Sequence, residues 1–507
     1  MGTTEVRELL LAPRLDPQRV GELLAPYGLK DFPKADANLQ AAAGDPGDRL
    51  LLAEVLDDLM VCVAASASPD QALTRFERFT ASTNKAHLFT YLRNSKQAME
   101  ILAKSLGGSA YMAEILIRDP HHFYWVAEPD ILNGTRTKLE IHRDLRPTLS
   151  MLEEEDKQLD FLRAVKRREM LRIGVRDLLR LASVEETLAA LSFLAEALIC
   201  SAYEISASAL RRTWQIPPKM FRYFTVLAMG KLGGAELNFS SDVDLMFLYA
   251  PNGEEAPRIS AADYFRRLAQ KITTGLSAFT GEGYVYRVDL RLRPEGKSGN
   301  MADSLDGYER YYRTRIGAWE RLALLKAWPV AGSRLLGRRF LSMSRPFIYE
   351  PDFDLKALDD VRGMKARIDE KISARGQTDR NVKLGRGGIR EIELVVQTLQ
   401  AMHAGRLPKI LGRSTLPALA ELREHALIAV EEFDALREAY LFLRDVENKL
   451  QMVDDAQTHS LPEEQEALTA CARLLGYSAV DSLLHDLQRH TSHVNRIFER
   501  VVGGRRP

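Results

Sequence analysis

The sequence predicts an α+β fold, a largely helical chain with one mixed sheet in its middle. Three observations carry that prediction. First, apolar residues recur at helical spacing from the N-terminus to about Trp214, clearest in LDFLRAVKRREMLRIGVRDLLRLA (Leu159 to Ala182), where basic residues take the opposite face. Second, three runs rich in β-branched and aromatic residues interrupt this pattern: RYFTVLAMG (Arg222 to Gly230), VDLMFLYA (Val243 to Ala250) and the alternating YVYRVDLRLR (Tyr284 to Arg293). Third, helical spacing returns after about Leu355, clearest in EEFDALREAYLFLRDVENKLQMV (Glu431 to Val453), and holds to the end.

Taken in order, Ser183 and Glu186 stand at capping-box spacing ahead of a long amphipathic run, which separates two helices there. The first two β runs are bounded by glycine and read as neighbouring buried strands. A helical stretch, Ala261 to Phe279, then leads through Gly-Glu-Gly to the third strand. A chain of 507 residues suggests about three domains. The pattern divides it into an N-terminal helical domain (1–215), a mixed α/β domain (216–350) and a C-terminal helical bundle (351–507).

Composition narrows the function. Hydrophobic residues make up 46% and charged residues 28%, as in an ordinary globular protein. Lys plus Arg and Asp plus Glu both total 70, so no global basic field is present to hold nucleic acid. The start has no secretory signal and no window reaches the roughly 18 apolar residues of a membrane span, which predicts a cytoplasmic protein without membrane contact. Cys62, Cys200 and Cys471 lie far apart without CxxC spacing and read as buried thiols rather than disulfide or zinc ligands.

The chemistry concentrates in GKLGGAELNFSSDVDLMFLY (Gly230 to Tyr249). Gly233 and Gly234 suit a turn whose backbone N–H groups hold phosphate oxygens, although paired glycines are most often turns alone. Asp242 and Asp244 flank Val243 at the head of an apolar strand, so the period of two sends both carboxylates to one face. Two adjacent negative charges call for a cation, and a hard divalent ion such as Mg²⁺ takes oxygen ligands and bridges to phosphates. Asp289, central in the third strand, supplies a third carboxylate, and three carboxylates can hold two metal ions. Singly, each aspartate has a bland alternative, an Asx turn for Asp242 or an exposed strand position for Asp289.

Together these residues resemble the DNA polymerase β-like nucleotidyltransferase superfamily, with Gly233, Gly234, Asp242, Asp244 and Asp289 in the places of its signature. GKLGGAELNFSSDVDL, GYVYRVDLRLRPEGKSG (Gly283 to Gly299), WERLALLKA (Trp319 to Ala327) and KLGRGGIREIELVVQ (Lys383 to Gln397) are similar to the glutamine synthetase adenylyltransferase/adenylyl-removing family. Members of that family carry two nucleotidyltransferase halves, whereas one copy is present here. ELNFSSDVDL and GGIREIE resemble the N-terminal, adenylyl-removing half.

The resemblance implies that phosphate attacks the α-phosphorus of an adenylylated tyrosine on glutamine synthetase, releasing ADP and free tyrosine. Asp242 and Asp244 would bind both Mg²⁺ ions and Asp289 would complete one site, while Gly233, Gly234 and Ser241 would hold the nucleotide phosphates. Arg291 and Arg293, read as sharing a strand face with Asp289, would offset the incoming phosphate, with surface solubility as the alternative. Lys383 and Arg390 surround a glycine pair that opens a helix, which reads equally as a phosphate or adenylyl site and as a capped helix entry. The resemblance further implies PII signalling protein as a partner and glutamine as an effector. Rival readings are adenylyl transfer from ATP to the same tyrosine and a catalytically silent regulatory module.

Overall fold

A computed structural model of the chain describes residues 6–250, 259–349, 355–374, 376 and 379–503. Residues 1–5, part of the start read for a signal, and residues 350–354, at the second predicted domain boundary, lie outside them. The chain is α+β and mostly helical, with one small mixed sheet among the described residues.

Two compact units emerge, each assembled from separate segments. The first comprises Met1–Gly134, Arg167–Ser183 and Asn448–Asp486. It is helical, and its helices start as capping chemistry dictates: Asp45 accepts from the N–H groups of Gly47 and Asp48, with Pro46 at the first helical position. Leu52, Leu56, Leu59, Phe79, Phe89 and Leu102 are buried between the helices. Inside this unit the charged pairs Arg172–Glu169, 2.8 Å apart, and Lys449–Asp177 are nearly inaccessible to solvent.

The second unit comprises Thr135–Lys166, Val184–Glu447 and Leu487–Pro507 and contains the sheet. Its strands are β1 (Phe224–Ala228), β2 (Val243–Tyr249), β3 (Val288–Asp289), β4 (Ala302–Ser304) and β5 (Trp328–Gly332). The spatial order is β3-β2-β1-β5, with β4 also pairing β2. β1 is buried along its whole length and pairs antiparallel with β2, Phe224 opposite Tyr249 and Ala228 opposite Leu245. β5 closes the other side of β1, with a register shift between Val226 and Leu227. Pro329 is tolerated there because β5 is an edge. The outer edge of β2 is shared by two short parallel partners, β3 beside its first residues and β4 beside its last.

That division corrects the expected third strand. Of the alternating run Tyr284 to Arg293, only Val288 and Asp289 pair. Upstream, the N–H groups of Val285 and Tyr286 both donate to the Leu276 carbonyl. Downstream, Arg293 N donates to Leu290 O, Gly296 N donates to Arg293 O, and Glu295 and Gly296 adopt positive φ. The chain turns away because the rest of the β2 edge belongs to β4.

Helix Val184–Trp214 corrects the expectation that no segment could cross a membrane: it is long and apolar enough by composition, but 72% of its most apolar window is buried inside the fold, as in a core helix. Tyr203 from this helix, Phe224, Phe247 and Phe265 stack with ring centroids 5.6–6.0 Å apart, joining it to the sheet and to helix Ala261–Ser277. Among the thiols, Cys62 and Cys471 are buried and Cys200 is half-buried. His142, on helix Lys138–Met151, has Nε2 3.1 Å from Glu204 Oε2, and the neighbouring Cys200 and Glu204 favour its charged form, raising the imidazole to about 10.

Candidate active site

The carboxylates meet where β1, β2 and β3 begin or end. After β1 the chain makes a single helical turn, Gly230–Gly233, and returns into β2 through a loop that helix Val184–Trp214 holds in place. There Ser192 Oγ accepts from Leu237 N at 2.9 Å. Ser241 Oγ accepts from Asn238 N at 3.2 Å and closes the loop immediately before Asp242. Met229 N donates to Asp244 O and Val243 N to Arg287 O, which locks the head of β2 between its neighbours.

In this register Asp244 lies directly beside Asp289, and Val243 beside Val288. The three carboxylates carry different counter-charges. Asp242 accepts from Arg287 Nε at 2.6 Å. Asp289 accepts from the backbone N–H of Arg291 at 2.8 Å and from its guanidinium; burial would raise its affinity for a proton, but the bonds from Arg291 outweigh it and hold Asp289 below the ordinary carboxylate value. Asp244 is raised to about 7, first by burial and then by the negative charges of Asp289 and Asp242. Two guanidinium groups thus offset two of the carboxylates, the third holds a proton more tightly than an ordinary aspartate, and the donors are all hard oxygens.

Glycine is required here, but at a position the sequence reading passed over. Gly230 has φ +54° and a Cβ built on it would stand 2.5 Å from Asp244 Oδ2. The pair singled out earlier is glycine for another reason. A Cβ on Gly233 would lie 1.9 Å from the Lys326 carbonyl, and one on Gly234 2.9 Å from Glu236 Oε2. The N–H groups of Gly233 and Gly234 donate to Met229 and Gly230, and their carbonyls accept from Arg413 and Ser414. This turn is packed against its own chain.

Of the predicted basic residues, Arg291 is two-thirds exposed beside Asp289. Arg293 does not share its face. It is buried in the turn and bonds the carbonyls of Leu290, Lys297 and Gly299, because the strand has already ended. Lys383 is close enough for its charge to act on both Asp244 and Lys231. Arg390 is directed elsewhere, 3.4 Å from Glu393. Gly388 caps helix Ile389–His403, and the N–H groups of Ile389, Arg390 and Glu391 donate to Val382, Lys383 and Gly388. The first donors of that helix are therefore engaged by the chain.

Residues 96–343 match the family model described as glutamate-ammonia ligase adenylyltransferase. The chain carries a domain of that family. It is similar to proteins named bifunctional glutamine synthetase adenylyltransferase/adenylyl-removing enzyme, themselves nucleotidyltransferases by name. The one from Thioalkalivibrio sulfidiphilus is 38% identical over 79% of this chain and 42% of its own length. That from Shewanella woodyi is 36% identical over 81% and 43%, and that from Xanthomonas campestris pv. campestris 41% identical over 66% and 36%. The chain thus spans less than half the length of the curated relatives it matches. Residues 362–502 match a second family model, GlnD PII-uridylyltransferase.

Three of the segments that carry the adenylyltransferase resemblance converge on a buried ionic network that the sequence reading missed. Lys326, from the third segment, lies 2.9 Å from both Glu236 and Glu393, which come from the first and fourth. Burial opposes its charge, but the two carboxylates outweigh burial and raise it above the ordinary lysine value. Arg444 donates to the Glu236 carbonyl and to Glu447, and Glu447 in turn meets Lys231 at 2.8 Å. Burial brings Lys231 down to about 7 in spite of Glu447. The network thus runs from the C-terminal helices to the residue next to Gly230. Its one legible signal was a charge inside an apolar run, as in LALLKAWPV and YLFLRDV.

Proposed function

We propose that this chain removes the adenylyl group from a tyrosine of glutamine synthetase by phosphorolysis. The observation that carries the proposal is the parallel register that sets Asp289 beside Asp244, with Asp242 two residues upstream. The direction of reaction rests on ELNFSSDVDL and GGIREIE, which resemble the removing half of the family. In this reading a phosphate oxygen bonds the α-phosphorus, the bond from phosphorus to the tyrosyl oxygen breaks, and that oxygen leaves and regains its proton. The products are ADP and tyrosine.

The donor set fits Mg²⁺: three clustered carboxylates with no soft ligand, the central one with its charge disfavoured by burial and by its two neighbours, which a cation would relieve. Asp242 and Asp244 would hold two ions and Asp289 complete one site, and the ions would supply neutralisation of phosphoryl charge. The chain's own groups do the rest. Gly230 leaves room for the Asp244 carboxylate. Arg291, exposed and paired with Asp289, is placed to turn toward the incoming phosphate, and bidentate contact suits guanidinium. The Ser241 hydroxyl, already accepting from Asn238, keeps its own hydrogen for a phosphate oxygen. Lys383 adds positive charge on the side of Asp244. Phosphate is an anion at neutral pH and needs no strong base to attack.

Glutamine synthetase is the protein substrate in this proposal. The match of the C-terminal helices to a family named for PII uridylylation supports PII protein as a regulator acting there, and glutamine as an effector rests on the resemblance to the adenylyltransferase family alone.

Incubation with Mg²⁺, phosphate and adenylylated glutamine synthetase should release ADP. A parallel reaction with labelled ATP and unmodified glutamine synthetase should transfer no label. Transfer of label without ADP release would reverse the direction, and silence in both would leave a regulatory module.

Two further outcomes follow from the geometry. Divalent binding should weaken about tenfold for each pH unit below 7, because Asp244 must lose its proton to act as a ligand. Mn²⁺ titrations at pH 6 and pH 8 check this, and equal affinities would contradict it. Gly230→Ala should cost roughly 1–3 kcal/mol of stability through its positive φ and its contact with Asp244. It should also lower kcat about 100-fold by shifting that carboxylate. Urea unfolding and steady-state kinetics measure both.

A further inference from the structure

We propose that His142, Cys200 and Glu204 form a transition-metal site of the zinc type, separate from the three-aspartate centre. One donor atom from each residue lies within 4.8 Å of the others, giving one nitrogen, one sulfur and one oxygen. Zinc accepts this mixture, with bonds of about 2.0–2.3 Å, and three protein ligands with one open position is its usual catalytic or exchangeable arrangement. Mg²⁺ has little affinity for thiolate and imidazole, so the two centres select different ions.

The scaffold fixes two of the ligands before any ion arrives. Cys200 and Glu204 are four residues apart on helix Val184–Trp214 and so share one face. The rotation of that helix is set by Ile199 and Ala202, both inaccessible to solvent, and by Tyr203 stacked on Phe224. Helix Lys138–Met151 begins with a complete capping box, Thr137 with Glu140. One turn before the site, Lys138 meets Glu196 at 3.2 Å and the Val330 carbonyl at 2.6 Å. His142 and Cys200 each follow that contact by four residues, so the ion pair sets the register that brings imidazole to thiol. Glu204 is exposed, and its side chain can close the remaining distance to about 3.5 Å between ligand atoms, the spacing of a tetrahedral site.

The test is a Co²⁺ titration of the full chain at pH 8 in saturating Mg²⁺, because the ion must displace the proton that Cys200 and Glu204 favour on His142. The expected result is a thiolate-to-cobalt charge-transfer band in the near ultraviolet that saturates at one equivalent and is displaced by Zn²⁺. Cys200→Ser should abolish the band. Glu204→Gln, at an exposed position that does not threaten folding, should keep the band and weaken Co²⁺ binding at least about tenfold. Absence of the band in the wild-type chain would overturn the proposal. So would its persistence in Cys200→Ser, which would assign it to Cys62 or Cys471, or unchanged affinity in Glu204→Gln.

Discussion

Asp244→Asn is expected to lower phosphate-dependent ADP release by about 1000-fold or more, and at pH 8 to raise the melting temperature of the metal-free chain. The loss follows from removing the carboxylate that both ions would share, when such ions supply several kcal/mol of transition-state stabilisation. The gain follows from the same side chain. Burial and the neighbouring carboxylates raise Asp244 from its ordinary 3.8 to about 7. Below about pH 4 the native and unfolded chains both carry the proton, and nothing is lost. Between about 4 and 7 the unfolded chain releases it while the native chain retains it, so stability falls as pH rises and the full penalty applies above 7. Asparagine has no charge to bury. Thermal unfolding with a chelator at pH 8 should show a rise of a few degrees, about what 1–2 kcal/mol gives in a domain of this size, and the difference should vanish near pH 4. A lower melting temperature at pH 8, or ADP release within tenfold of wild type, would contradict this account of Asp244.

Lys326→Met should destabilise the sheet-containing unit by about 3–5 kcal/mol, the usual cost of removing one partner from a buried ionic group. Lys326 is almost inaccessible and stands between Glu236 and Glu393. Without it, two carboxylates face one another in the interior, and Glu236 also accepts the N–H of Thr415. Replacing all three charges together, as Lys326→Met with Glu236→Gln and Glu393→Gln, should restore much of the lost stability, because no uncompensated charge remains. Urea unfolding of the single and triple variants measures both effects. A loss below about 1 kcal/mol in the single variant would mean that water reaches the network.

The sequence carried some of this site plainly and other parts not at all. Asp242 and Asp244 were legible because charged residues at the head of an apolar strand are unusual and the period of two gives their direction. Asp289 was visible as a residue, but its neighbour was not, since a two-residue parallel pairing leaves no pattern. The alternation that runs through Arg291 and Arg293 pointed to a strand where the chain turns. Only the competition of β4 for the same edge decides between the two. β5 was hidden by Pro329 and Gly332, which read as turn residues. Gly230 was overlooked beside a more conspicuous pair, because its requirement comes from a carboxylate on the next strand. The buried network joins residues 67 and 90 positions apart, and periodicity says nothing about which buried charges will meet.

The most direct measurement is phosphate-dependent ADP release from adenylylated glutamine synthetase, followed for the wild-type chain and for Asp289→Asn under identical Mg²⁺. Release by the wild type should require both phosphate and Mg²⁺, and it should be almost completely lost in the variant while the fold is retained. Release that survives in Asp289→Asn, or that proceeds without a divalent ion, would contradict the claim that carboxylates from two paired strands form the reaction centre.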